Sequence, residues 1–189
     1  MRIGIDLQVL EQRKLTGIGK YALQIARHLL LLQSKHEFVL FVSATSPSFP
    51  PLARGGKLVV LPPKRIPFFT AHWEYAKIME REKLDVLFGP ANTLPLLYKP
   101  LSPSPELGAL SPRQGRVTKR MTRCVITLHD LAIYKHPEWF PARQWFSTKF
   151  LVPKSIKRAD KIIVPSQSTK KDLREMFGVS ERKISVIPH

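Results

Sequence analysis

Short apolar runs alternate along this chain with longer stretches of helical periodicity, and few folds accommodate that alternation. The runs are Arg2–Asp6 (RIGID), Phe38–Val42 (FVLFV), Lys57–Leu61 (KLVVL), Leu84–Phe88 (LDVLF), Cys124–Leu128 (CVITL), Lys161–Val164 (KIIV) and Lys183–Ile187 (KISVI). Each is short and nearly continuous in apolar residues, which suits a strand buried on both faces. Between them, Thr16–Leu32 carries Ile18, Tyr21, Ala22, Ile25 and Leu29 at helical spacing. Ala71–Lys83 sets Trp73, Ala76 and Met79 on one side, and Ala142–Arg158 reads as an amphipathic helix. Ser166–Phe177 opens on polar start signals at Ser166 and Ser168 and stops at Gly178. Strands buried on both faces and separated by helices predict a parallel sheet. Right-handed crossovers make it a Rossmann-like, doubly wound α/β fold of about seven strands. One domain over residues 1–189 is expected, and a 43% hydrophobic content can fill its core.

Two segments break the alternation. Ser43–Phe69 is rich in proline and poor in helix signals. Tyr98–Arg123 holds Pro100, Pro103, Pro105, Gly108, Pro112, Gly115 and six basic residues, without periodicity. It reads as a flexible basic insertion at about 99–122 inside the domain, not a linker between domains.

The net charge of +17 favours anionic partners: nucleic acid, acidic lipid headgroups or phosphorylated small molecules. The densest runs are Arg113–Arg123, Lys149–Lys161 and Lys170–Arg174. None carries an RNA-recognition aromatic motif, a zinc knuckle or a helix-turn-helix signature, so nucleic acid is the least favoured of the three. The helix at Ala142–Arg158 combines Trp145, Phe146, Phe150 and Leu151 with Arg143, Lys149, Lys154, Lys157 and Arg158. Such a helix either packs its apolar side on the sheet or lies on an acidic bilayer. There is no signal peptide and no apolar run of the roughly 20 residues that span a bilayer. The single cysteine, Cys124, beside the apolar Val125–Leu128, reads as a buried thiol in a reducing compartment. A cytoplasmic location follows, with peripheral attachment at the inner face of the membrane as its variant.

In an open parallel sheet, ligands bind beyond the carboxyl ends of the strands, where strand order reverses. Three segments converge there. Thr16-Gly17-Ile18-Gly19-Lys20 places Gly17, Gly19 and Lys20 at a helix start, where backbone N–H groups and the helix dipole favour an anion. It lacks a third glycine and comes too late after the first strand for a dinucleotide fingerprint. Gly89-Pro90-Ala91-Asn92-Thr93 follows the fourth strand and offers Asn92. His129-Asp130 follows the fifth, and a histidine there can donate to a sugar hydroxyl or hold developing charge. The six histidines lack zinc-type spacing, and one cysteine is too few, so no metal site is expected. Neither a Gly-x-Ser-x-Gly elbow nor a P-loop is present.

Three longer stretches carry a resemblance. "RIGIDLQVL…TGIGKYALQIARHLL", "VITLHDLAIYKHPEWFP" and "SIKRADKIIVPSQSTKKDL…FGVSERKISVIPH", in this order, resemble the N-terminal domain of retaining GT-B glycosyltransferases. The family in question is the large family four, group 1 type, which includes bacterial mannosyltransferases. The resemblance covers nearly the whole chain except about residues 43–70 and 99–122. It implies a two-domain enzyme that moves a sugar from a nucleotide-diphosphate sugar to an acceptor hydroxyl, with retention of configuration and without a metal. It also implies an acceptor-side N-terminal domain and a C-terminal domain that holds most of the donor. Carried across, Gly17 and Gly19 lie in the loop facing donor phosphates and acceptor. His129 matches the residue that contacts the transferred sugar, and Asp130 matches an orienting neighbour. Ser166 and Thr169 match the polar helix start at the interdomain cleft, where Ser166 can equally act as a plain N-cap.

Two features depart from that pattern: the insertion at Tyr98–Arg123, and an end at Ile187-Pro188-His189 where the donor domain would follow. The expectation is the acceptor-side half of a hexosyltransferase, inactive alone, with a sugar or lipid-linked acceptor. The alternatives are a non-catalytic binding subunit that pairs with a separate donor-domain chain, and a basic nucleic-acid-binding module.

Overall fold

The computed structural model describes residues 1–11, 15–32, 35–44, 46, 56–61, 68–95, 98 and 122–189, without the side chains of 68–73, 143, 144, 146 and 147. The predicted insertion at 99–122, most of Ser43–Phe69, and the side chains of Trp73, Arg143 and Phe146 fall outside that description. The strands are β1 (Arg2–Asp6), β2 (Glu37–Ser43), β3 (Gly56–Leu61), β4 (Val86–Gly89), β5 (Arg123–Thr127), β6 (Lys161–Val164) and β7 (Ile184–Val186). The helices are α1 (Gly17–Leu31), α2 (Phe68–Arg81), the single turn α3 (Ala132–Lys135), α4 (Ala142–Arg158) and α5 (Gln167–Phe177). Short 3-10 turns cover Gln8–Glu11, Pro137–Trp139 and Glu181–Lys183.

All seven strands form one parallel sheet in the order β3-β2-β1-β4-β5-β6-β7. The doubly wound Rossmann-like fold expected from the alternation is the fold observed. The chain runs outward from β1 to β3, then returns to place β4 on the other side of β1. Right-handed crossovers therefore put α1 on one face and α2, α4 and α5 on the other. Alternate residues of one strand feed the two faces. Phe38 and Leu40 join Ile5, Ala22 and Ala26 beneath α1. Val39 and Phe41 join Tyr75, Met79, Val152, Ile156 and Leu173 beneath the other helices.

Strand starts are set by aspartates as much as by apolar runs. Asp85 Oδ2 accepts the Arg2 N–H at 2.7 Å, and Asp160 Oδ2 accepts the Cys124 N–H at 2.7 Å. Each carboxylate caps the neighbouring strand, and β4 opens at Val86 rather than at the predicted Leu84. Similarly, α2 closes at Arg81 rather than Lys83, because Lys83 takes a left-handed φ of 47° that a helix cannot continue. At the same end of the sheet, Glu82 bridges Arg2 at 2.6 Å and Lys57 at 2.7 Å. Cys124 is fully buried, and burial pushes its thiol up to about 11.

Candidate functional site

The strand order reverses between β1 and β4, so the carboxyl ends of β1, β4 and β5 border one crevice. The start of α1, Asn92 and His129 all follow these strand ends, so the topology brings the three predicted segments together.

His129 is held from four directions. Its backbone N–H donates to Asn92 Oδ1 at 2.8 Å. Its Nε2 lies 2.8 Å from the Pro90 carbonyl. A carbonyl only accepts, so the ring proton sits on Nε2, and Nδ1 keeps its lone pair in the neutral ring. The Tyr21 ring meets the imidazole edge-on, with centroids 4.9 Å apart and planes at 87°. The His129 carbonyl receives the Thr169 hydroxyl at 3.5 Å. The loop after β4, helix α1 and helix α5 thus converge on one residue, the loop and α1 on its ring and the loop and α5 on its backbone.

Asn92 serves this arrangement from within. It sits at φ 40°, a left-handed conformation that asparagine tolerates better than most residues. Its N–H donates to the Thr127 carbonyl at 2.9 Å. The turn before it needs Gly89, where a Cβ would lie 2.8 Å from the Thr93 carbonyl oxygen.

At the start of α1, Thr16 is the N-cap, and its hydroxyl accepts the Gly19 N–H at 3.3 Å. Gly19 is buried, with Leu15 closest to the place its Cβ would take. Gly17 faces open space: nothing lies within 4 Å of a Cβ built there. Lys20 is exposed on the same turn.

The remaining predicted residues have local partners. Asp130 is exposed, and its Oδ1 accepts the Ala132 N–H at 3.0 Å, which opens α3. Ser166 is the N-cap of α5: its hydroxyl accepts the Thr169 N–H at 3.1 Å, and Thr169 itself is buried. Ser166 therefore reaches the site only through Thr169.

Sequence reasoning missed four participants: Tyr21, Pro90, Thr127 and His189. The Tyr21 hydroxyl lies 3.2 Å from Thr127 Oγ1, and Thr127 is fully buried. The His189 ring stacks on Tyr21 at 4.1 Å and lies 5.0 Å from the His129 ring. Burial and the nearby His129 imidazole hold His189 below the usual histidine range. Two signals existed. Tyr21 follows Gly17 by one helical turn, so the two share a face. Thr127 puts a hydroxyl inside an otherwise apolar strand, where it must find a partner.

Among the described residues, no three His, Cys, Asp or Glu side chains gather as a metal site. A hollow of about 550 Å³ at the far end of α5, lined by Lys171, Arg174, Glu175, Gly178 and Val179, contains none of the site residues.

A family model described as Glycosyltransferase Family 4 matches residues 15–189. No curated protein matches the chain. Among solved structures, the chain is similar to the lipopolysaccharide outer core galactosyltransferase WaaB in its apo form, at 12% identity and a TM-score of 0.57. All of this chain lies over 46% of that one, so it spans less than half of that structure's length.

Proposed function

The chain belongs to Glycosyltransferase Family 4 and has the fold of the N-terminal half of a GT-B glycosyltransferase, and on that premise we propose that it forms the acceptor side of a retaining hexosyl transfer. The donor is a nucleotide-diphosphate sugar, and the acceptor is a sugar or lipid-linked hydroxyl. The observation that carries this reading is the fixed imidazole of His129 beside the open helix start at Gly17.

The chemistry follows from the geometry. Breaking a glycosyl–phosphate bond develops positive charge on the sugar and negative charge on the leaving phosphate. Thr16 takes the Gly19 N–H, which leaves the amides of Gly17 and Ile18 to face an anion at the positive end of α1, and Gly17 lets that anion approach without meeting a side chain. With its proton on Nε2 and committed to Pro90, His129 presents a lone pair at Nδ1 that accepts from a sugar hydroxyl. Locking that ring before substrate arrives avoids reorganisation during the reaction. Asp130, turned to the α3 backbone, acts as an orienting residue and not as a base.

The proposal assigns donor binding to a second domain, makes the chain inactive alone and needs no metal. Transfer from labelled GDP-mannose and UDP-galactose to saccharide and lipid-linked acceptors tests it. The chain is assayed alone and mixed with a polypeptide carrying a GT-B donor domain. Transfer is expected only in the mixture, with retained configuration by NMR and no loss in EDTA. Turnover by the chain alone, an inverted product or a metal requirement would overturn the corresponding part. A second reading is a non-catalytic subunit that pairs with a separate donor-domain chain. It predicts that the mixture loses nothing on His129→Ala, whereas the first predicts a fall of about 100-fold.

A further inference from the structure

The His129 ring enters the crevice fixed in one tautomer. Its Nε2–H donates to the Pro90 carbonyl at 2.8 Å, and Nδ1 keeps a lone pair. Proteins prepare a histidine for a metal ion in the same way. A ligating imidazole gives its other N–H to a carboxylate or backbone carbonyl, which orients the ring and makes the free nitrogen more basic. In the proposed transfer, that lone pair meets a sugar hydroxyl. Nothing in the transfer uses the imidazole next to it.

That neighbour is His189. Its ring centre lies 5.0 Å from the centre of the His129 ring, with the planes at 67°. It stacks on Tyr21 at 4.1 Å, and its nitrogens have no hydrogen-bond partner among the described residues. Two imidazoles on one ion keep a characteristic separation. With metal–nitrogen bonds of about 2.0–2.1 Å, ring centres about 1.1 Å further out and ligand angles of about 90–110°, the centres stand about 4.5–5.2 Å apart. The observed 5.0 Å falls inside that interval. Tyr21 touches both rings, His189 by its face and His129 edge-on, so the pair is ordered before any ion arrives. His28 supplies the contrast. Its Nδ1 lies 2.8 Å from the Gln24 carbonyl, which leaves Nε2 free in the same manner, yet no second ring pairs with it among the described residues.

We propose that His129 Nδ1 and a ring nitrogen of His189 hold a divalent transition-metal ion at the mouth of the crevice. Imidazole suits Zn²⁺, Ni²⁺ and Cu²⁺, whereas Mg²⁺ and Ca²⁺ take oxygen ligands. Among the described residues no group of three His, Cys, Asp or Glu forms, so water completes the coordination. A site open in this way suits reversible occupancy rather than a structural role. The bound ion takes the lone pair that the sugar hydroxyl needs, so it acts against transfer. Only that consequence rests on the proposed function; the binding does not.

Calorimetry and histidine NMR on the untagged chain, with ZnCl₂ or NiCl₂ alone, test it. One ion per chain should bind. The His129 and His189 ring signals should respond together, shifting with Zn²⁺ and broadening with Ni²⁺, at concentrations that leave His28 and His136 unmoved. His129→Ala and His189→Ala should each weaken binding at least about tenfold, since loss of an outer hydrogen bond alone costs about 10–100-fold. The double variant should lose little more than either single one, because the two rings act as one chelate. His28→Ala with His136→Ala should change nothing, and MgCl₂ should not compete. Circular dichroism melts check the fold of each variant, and the ring signals of the unaltered chain decide the matter without any variant. The proposal falls if the two rings respond at different concentrations, if neither responds below about 1 mM Zn²⁺, or if the His28 and His136 variant loses as much as His129→Ala. In the two-domain mixture, Zn²⁺ should slow transfer at the concentration that fills the site, and His189→Ala should relieve the inhibition. Binding without inhibition would overturn that consequence. A mixture that transfers nothing counts against the transfer reading and leaves the titration result standing.

Discussion

The His129 N–H donates to Asn92 Oδ1 at 2.8 Å, while the Asn92 N–H donates to the carbonyl of Thr127, so one residue ties the β4 loop to the end of β5 twice. Asn92 does this at φ 40°, where most side chains are strained. Asn92→Ala loses the hydrogen bond and keeps the strain, and it should cost about 2–3 kcal/mol. Asn92→Gly relieves the strain and should cost about 1 kcal/mol. Urea unfolding should rank the chains Asn above Gly above Ala. An alanine variant more stable than the glycine one would remove backbone strain from the account.

The glycines at 17 and 89 should respond oppositely to alanine. A methyl at 89 meets the Thr93 carbonyl oxygen at 2.8 Å, and backbone cannot step aside cheaply. Gly89→Ala should therefore destabilise by about 1–3 kcal/mol. A methyl at 17 meets nothing and stiffens the first turn of α1, so Gly17→Ala should stabilise by about 0.5 kcal/mol. Under the anion-site reading, the same change should weaken transfer in the two-domain mixture. Lower stability with unchanged transfer would invert both expectations.

Tyr21 joins packing to polarity at the site, and two substitutions separate the parts. Tyr21→Phe keeps the ring against His129 but strands the buried Thr127 hydroxyl, for about 1–2 kcal/mol. Tyr21→Ala also removes the ring. His129 imidazole resonances should then move strongly in the alanine variant and little in the phenylalanine one. Equal movement in both would assign His129's position to the hydroxyl rather than the ring.

Stability should decline in alkali, for a reason located in the core. Burial raises the Cys124 thiol to about 11 and the Tyr134 phenol to about 12. Above pH 9 the unfolded chain releases the Cys124 proton while the folded chain retains it, so the native state binds more protons and stability falls as pH rises. Urea unfolding across pH 8–11 should show that slope, and Cys124→Ala should remove its lower part. Native Cys124 should also resist a thiol reagent that modifies it in urea. Rapid native labelling would contradict its burial.

The fold was legible because a parallel sheet requires continuous apolar strands: Phe38–Val42 and Cys124–Leu128 can be little else. Strand ends were less legible because they answer to partners distant in sequence. Leu84 looks like strand, yet β4 opens at Val86, after Asp85 has met Arg2 through both its backbone N–H and its carboxylate. At the site, His129 and Asn92 were readable from their places after apolar runs. Tyr21 and Pro90 were not, because a ring facing another element and a carbonyl accepting a proton leave no residue-type signature. Asp130 and Ser166 advertise polar chemistry that the structure spends on the first turns of α3 and α5.

The pairing of β1 with β4 has a consequence for how the chain emerges from the ribosome. Arg2 finds Asp85 across 83 positions at the amino ends of the two strands, and the crevice opens where the same pair of strands ends. Contacts so distant in sequence form late, since the intervening chain must be made and closed first. At a synthesis rate of about 5–20 residues per second, the first strand waits several seconds for its neighbour, its apolar edge open to wrong partners. The hinge of the fold and the mouth of the site are therefore completed together, and a ligand that binds there should select chains that have finished folding.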